Sequence, residues 1–151
     1  IMFHAAGIKD KKNGYLFPGY SGDGKSTMSN CWRGNDCTIL SDEYIVVKRN
    51  SNKFSIYGTP WCGTNSQDYS PEKVLLKKVY ILNKGRVNKE TSIDKGLAVS
   101  YLLTRCKLPV WSKEETNKKV KLCSEMVNKK LCYKLDFLPN QSIVKYIRKN
   151  N

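Results

Sequence analysis

The sequence predicts an α/β fold: a mixed, partly antiparallel central sheet with flanking helices. That expectation rests on a glycine-rich loop set between an apolar run and a helical run, on paired apolar runs joined by short polar turns, and on later stretches of helical periodicity.

Taken in order, residues 3–8 and 15–18 read as strands, and the polar stretch between them, ending in Asn13-Gly14, is a hairpin signal. Pro18 closes the second strand, and the chain enters Gly19-Tyr20-Ser21-Gly22-Asp23-Gly24-Lys25-Ser26-Thr27. A helix beginning near Lys25 continues through residues 28–32 until Gly34-Asn35 ends it. Residues 38–41 form a short strand that finishes at the carboxylate pair Asp42-Glu43. Residues 44–48 and 54–57 make a second hairpin around a turn at 49–53. Residues 58–63 form a rigid turn carrying Trp61, and 65–72 a polar loop.

In the second half, residues 74–82 read as a buried strand stopped by Asn83-Lys84-Gly85. Thr91-x-x-Asp94 resembles a capping box, starting a helix to about Thr104 with Leu97, Tyr101 and Leu102 on its apolar face. Ser112-x-x-Glu115 caps a helix reaching about Lys130, with Val120, Cys123 and Val127 inward. Leu131, Tyr133, Leu135 and Phe137 alternate, as in a strand with one buried face, and a short helix around Ile143, Val144 and Ile147 follows. With no repeat or linker, residues 1–151 are expected to form one domain of ordinary size. The chain opens inside a strand, so either an upstream segment has been removed or Met2 is the true start.

Bulk composition narrows the function classes. No apolar run approaches a membrane span, and the opening residues lead to the expectation of no signal peptide. The net charge of +14 invites a nucleic-acid reading. The excess is lysine scattered along the chain and accompanied by asparagine, without clustered arginine forks or aromatic platforms, so nucleic acid is not the expected partner. An acidic or phosphorylated partner stays open. The 6 cysteines contain no C-x-x-C pair and lie far in sequence from the single histidine. A zinc site is therefore not expected, and the cysteines read as free thiols of a cytoplasmic protein.

The loop at 19–27 fits G-x-x-x-x-G-K-[ST], the phosphate-cradling pattern. Its glycines let successive N–H groups face one anion, Lys25 supplies charge to the outer phosphates, the Ser26 hydroxyl can ligate Mg²⁺, and the helix start adds its positive dipole end. Asp42 and Glu43, at the end of the next strand, can take a proton from an acceptor hydroxyl or hold the metal. His4, on the strand expected beside the loop strand, is either structural or a group that orients a carboxylate or polarises a phosphate. Tyr57 and Trp61 are either core aromatics or part of an acceptor site. Arg105 reads as a charge clamp or as an ordinary cation at a helix C-terminus.

Phe3-His4-Ala5-Ala6-Gly7, the hairpin, the 19–27 loop, Leu40-Ser41-Asp42-Glu43 and Tyr57-Gly58-Thr59-Pro60-Trp61 together resemble the HPr kinase/phosphorylase-like family. The likeness is closest to the family's small relatives found beside peptide-modification gene clusters. It is specific over residues 3–63 and a matter of element order beyond. It implies a phosphoenolpyruvate carboxykinase-like P-loop fold and an ATP- and Mg²⁺-dependent kinase acting on a hydroxyl, serine above all, of a protein or peptide. It implies catalytic roles for His4, Lys25 and Asp42, with Ser26 toward the metal; Asp42 and Glu43 are also expected at the metal, and Tyr57, Thr59 and Trp61 at an acceptor site.

Two departures from the family pattern stand out. Glu43 replaces a second aspartate, keeping charge but changing reach. Gly58-Thr59-Pro60-Trp61 stands where the family has Glu-x-Arg-Gly, so a metal ligand is lost or comes from elsewhere and the acceptor pocket differs. A nucleotide-binding module without transfer activity and a small-molecule kinase are the competing readings, and homo-oligomerisation is left open.

Overall fold

The computed structural model describes residues 1–61, 69–107 and 112–151. The predicted turn beyond Trp61, Cys62 included, and the first half of the predicted polar loop lie outside the described residues. The architecture is mixed α/β. The strands are β1 (Met2–Asp10), β2 (Asn13–Pro18), β3 (Thr38–Ser41), β4 (Tyr44–Asn50), β5 (Lys53–Tyr57), β6 (Lys73–Lys84), β7 (Lys89–Ser92), β8 (Cys106–Lys107) and β9 (Cys132–Phe137). The helices are α1 (Lys25–Trp32), α2 (Lys95–Arg105), α3 (Lys113–Asn128) and α4 (Ser142–Lys149). None of these helices is long and apolar enough to cross a membrane.

The sheet is not open. Its path runs β2-β1-β4-β5-β6, and β6 then pairs in parallel with β2, closing a five-strand ring of otherwise antiparallel neighbours. β9 and β7 extend the sheet beyond β6, while β3 and β8 pair with β1. Alternation along the strands sorts side chains into two cores. Phe3, Ala5, Leu16, Ile45 and Ile56 fill the ring and meet Leu102 of α2 and Met126 of α3. Ala6, Ile8, Tyr15, Phe17 and Phe137 face the other way, against Met28 and Trp32 of α1 and Ile143 and Ile147 of α4.

Several local expectations change. The first hairpin turns at Lys11-Lys12, with Lys11 at φ 55°, and Asn13 already pairs with Asp10. Asn13-Gly14 therefore begins β2 instead of making the turn. Gly14 is needed there for space, since a Cβ would sit 2.6 Å from a Val74 methyl and 2.8 Å from the Leu75 carbonyl oxygen.

Asp94, not Thr91, caps α2, accepting from the Leu97 N–H at 3.0 Å, and Thr91 lies in β7. The buried face of α2 is Ala98 and Leu102, which leaves Leu97 66% exposed. Ser112 caps α3 as expected, accepting from the Glu115 N–H. The helix buries Lys119, Cys123, Met126 and Val127, so Val120 turns outward. The cysteines within the described residues are free thiols.

Candidate functional site

β1 brings the site together. The His4 carbonyl accepts from the Gly19 N–H at 3.1 Å, and the Ala5 N–H donates to the Glu43 carbonyl at 3.0 Å. Adjacent residues of an extended strand point their backbone groups to opposite edges. One dipeptide therefore fixes the glycine loop on one side and the Asp42-Glu43 link on the other. That link joins β3 to β4, both of which pair with β1. The Ser41 hydroxyl tightens it by accepting from the Glu43 and Tyr44 N–H groups at 3.1 and 3.2 Å.

The loop has the shape its glycines allow. Gly22 and Gly24 take φ of 91° and 102°, and Gly24 is the N-cap of α1 with no side-chain cap. The first-turn amides of Lys25, Ser26 and Thr27 therefore have no capping side chain to occupy them, which is the arrangement that receives an anion. A Cβ at Gly24 would also lie 3.2 Å from Phe137 Cζ, so glycine serves both conformation and packing. Ser26 is exposed and Lys25 is buried, its Nζ donating to the Tyr20 carbonyl at 3.1 Å. Burial lowers the Lys25 pKa below its ordinary value, opposed by the carboxylates of Glu43, Asp23 and Asp42.

The charges of three carboxylates thus act on one lysine. Asp42 is buried, at 4% exposure, and Glu43 Oε1 lies 3.3 Å from His4 Nε2. Burial and then the Lys25 charge lower the His4 pKa, against the raising effect of Glu43. His4 is therefore held toward the neutral imidazole at neutral pH. Because its folded pKa lies below the unfolded value, the unfolded chain takes up the proton first as pH falls below about 6.5. Stability is then lost through that window down to the folded pKa. Replacing His4 with Gln should flatten this part of the acid limb of stability, measured by denaturant titration between about pH 7 and pH 5. An unchanged limb would remove His4 from the account.

Asp23 places a carboxylate within the loop itself. Its Oδ2 accepts from the Tyr20 N–H at 2.7 Å and from the Tyr101 hydroxyl at 3.4 Å. The Arg105 guanidinium lies 3.7 Å from the same oxygen and stacks on two rings, 3.5 Å from the Tyr101 centroid and 4.2 Å from that of Tyr20. The Tyr20 hydroxyl donates to the Thr104 carbonyl at 2.9 Å, so the C-terminus of α2 is tied to the loop. Asp23→Asn keeps the acceptor for Tyr20 and removes a charge that opposes polyphosphate. For a nucleotide held at this loop the change should tighten affinity by about 1 kcal/mol, roughly fivefold, in calorimetric titration.

The sequence-predicted residues are brought together with one exception. Gly19 to Thr27, His4, Asp42 and Glu43 converge. Thr59, whose hydroxyl donates to the Tyr44 carbonyl at 2.6 Å, and Trp61, whose carbonyl accepts from Ser41 Oγ at 2.6 Å, flank them. Tyr57 turns its ring toward Lys48 and Lys73, with no contact to the loop. Sequence reading missed Tyr44, which links His4 (5.5 Å between ring centroids) to the half-exposed Trp61 (6.2 Å, edge-on). It also missed Lys107, held 5.2 Å over the Tyr44 ring by the β8–β1 pairing. Tyr44 directly follows the carboxylate pair, which was the available signal; nothing in sequence marked Lys107.

No group of three metal-ligating side chains occurs among the described residues. The donor set fits Mg²⁺ all the same, because that ion keeps water and takes one or two protein oxygens alongside phosphate oxygens. A polyphosphate entering beside Asp23, Asp42 and Glu43 also needs a cation to offset like charge.

Fold and site describe an α/β protein in which a glycine loop of the phosphate-cradling pattern and a carboxylate pair are held at opposite edges of one strand. No family model and no curated protein matches the sequence. Among solved structures it is similar to the HPr(Ser) kinase/phosphatase from Coxiella burnetii, at TM-score 0.43 and 14% identity, over 87% of this chain and 91% of that one.

Proposed function

We propose that this protein is an ATP-dependent kinase that transfers the γ-phosphoryl group to a hydroxyl, serine foremost, of a protein or peptide. The supporting observation is that the His4-Ala5 dipeptide fixes the phosphate loop and the Asp42-Glu43 link to opposite edges of one strand. In this reading the amides at the start of α1 and the Lys25 ammonium bind the phosphates, Lys25 exchanging the Tyr20 carbonyl for a phosphate oxygen. Ser26, with Asp42 or Glu43, would hold Mg²⁺, which neutralises phosphate charge when bound. Asp42 accepts the proton of the attacking hydroxyl. Neutral His4 steadies Glu43, and the Tyr44–Trp61 edge provides an apolar surface against which a peptide side chain can rest. The sequence resemblance to HPr kinases agrees with this reading.

Gly58-Thr59-Pro60-Trp61, standing where the resembled family has a glutamate-bearing motif, favours a second reading, a nucleotide-binding module without transfer. Incubation with γ-labelled ATP, Mg²⁺ and a library of serine-containing peptides separates the two. Labelled phosphopeptide that disappears in Lys25→Met supports the kinase. ATP binding abolished by Lys25→Met, with no phosphorylated product on any peptide, supports the module. Label transferred to a metabolite in a small-molecule extract, with none on peptide, would redirect the acceptor class.

A further inference from the structure

Part of the positive charge gathers in one place away from the 19–27 loop. A groove of about 620 Å³ opens at the other end of the ring, where β2 begins, β4 turns into β5, and α3 passes into β9. β2 is 6 residues long, so groove and loop are separated by about 20 Å along that strand.

Six lysines line the groove, and no aspartate or glutamate lines it. Two of the six are already engaged: Lys78 with Glu90 and the Asn150 carbonyl, and Lys129 with Asn52. The remaining four, Lys12, Lys53, Lys77 and Lys130, are exposed and form no ion pair among the described residues. Lys130 also occupies a left-handed position, φ 54°, that glycine or asparagine usually takes at a helix end. Between the lysines the floor is apolar: Phe54, Leu75, Leu76 and Leu131, with Leu75 45% exposed.

The geometry points to a docking groove for an acidic peptide segment that alternates carboxylates with apolar side chains. Four unpaired ammonium groups around a recess without acids attract carboxylates, and the exposed leucine between them gives apolar side chains a place to bury. A nucleic acid would meet point-charge lysines with no arginine fork and little ring surface, and the apolar floor would go unused. Docking here leaves the phosphate loop open and does not depend on phosphoryl transfer.

The test is fluorescence anisotropy with the intact protein and a fluorescein-labelled peptide alternating glutamate and leucine. The comparison probes are a glutamate–serine peptide, a lysine–leucine peptide and a single-stranded DNA oligonucleotide. The glutamate–leucine peptide should bind best and weaken as salt rises. The double variant Lys53→Glu/Lys77→Glu should lose on the order of tenfold in affinity, while Lys121→Glu/Lys145→Glu, exposed lysines outside the groove, should change it less than about twofold. Lys53→Gln/Lys77→Gln gives the same comparison without charge reversal, and a thermal melt confirms folding. Absence of binding, equal loss in both double variants, or equal binding of the glutamate–serine peptide overturns the proposal. So does tighter binding of the oligonucleotide with the same lysine dependence.

Discussion

Replacing Asp42 with Asn is expected to lower phosphoryl transfer about 10²- to 10⁴-fold, the usual contribution of a positioned general base. The substitution is close to isosteric, and the residue is buried in a link whose backbone is pinned by β1 and Ser41. The fold and the loop should therefore be unaffected. What changes is the ability to accept a proton beside Lys25. Single-turnover transfer to a phosphorylatable peptide measures the loss, and calorimetric titration of ATP with and without Mg²⁺ separates two origins. Unchanged affinity with slow transfer assigns proton acceptance to Asp42. A fall in affinity seen only with Mg²⁺ assigns it to the metal instead. Transfer at the wild-type rate would remove Asp42 from the mechanism.

The second large effect is on stability. Phe137→Ala should cost about 3–5 kcal/mol, read as a lower denaturant midpoint, because a large ring is removed from a fully enclosed place. Phe137 ends β9, has no exposed surface, and packs in the core shared with Phe17, Met28 and Ile143. Its ring also backs the phosphate loop at Gly24, so the cavity opens beneath the N-terminus of α1. A variant that still folds should bind nucleotide more weakly than wild type, whereas Phe137→Leu, which refills most of the volume, should recover much of both losses. Wild-type stability in Phe137→Ala would mean that the site collapses freely, and the ring would then not support the loop.

The features legible in the sequence were those written in local chemistry. The glycines at 22 and 24 announce their own positive φ, and the Ser112 cap and the β3 strand lie where residue type and alternation put them. Errors arose where a local signal had two solutions. Asn13-Gly14 favours a turn, yet the hairpin turns two residues earlier because Gly14 must pass close to Val74. Leu97 and Val120 are apolar and nearly in phase with their helices, but each lies one position off the face that packing selects. The closing β2–β6 pairing joins strands whose starts are 60 residues apart, and no local pattern records it. Among the candidate residues, spacing marked the 19–27 loop and the carboxylate pair, which the fold holds at the two edges of β1. The Tyr20–Arg105–Tyr101 stack and Lys107 were not marked, because they arrive from α2 and β8 through tertiary packing.

The closed ring has one consequence for how this molecule breathes. β2 is bonded along both edges, to β1 and to β6, so it cannot fray like the outermost β7 or the two-residue β8. Deuterium reaches such amides chiefly by openings that break the ring. In D₂O the amides of β7 and β8 should fill early, while those of residues 15–17 keep their protons longest. The phosphate loop would then be anchored to the last part of the chain to let solvent in, and its own motions would be hinged on a base that stays still.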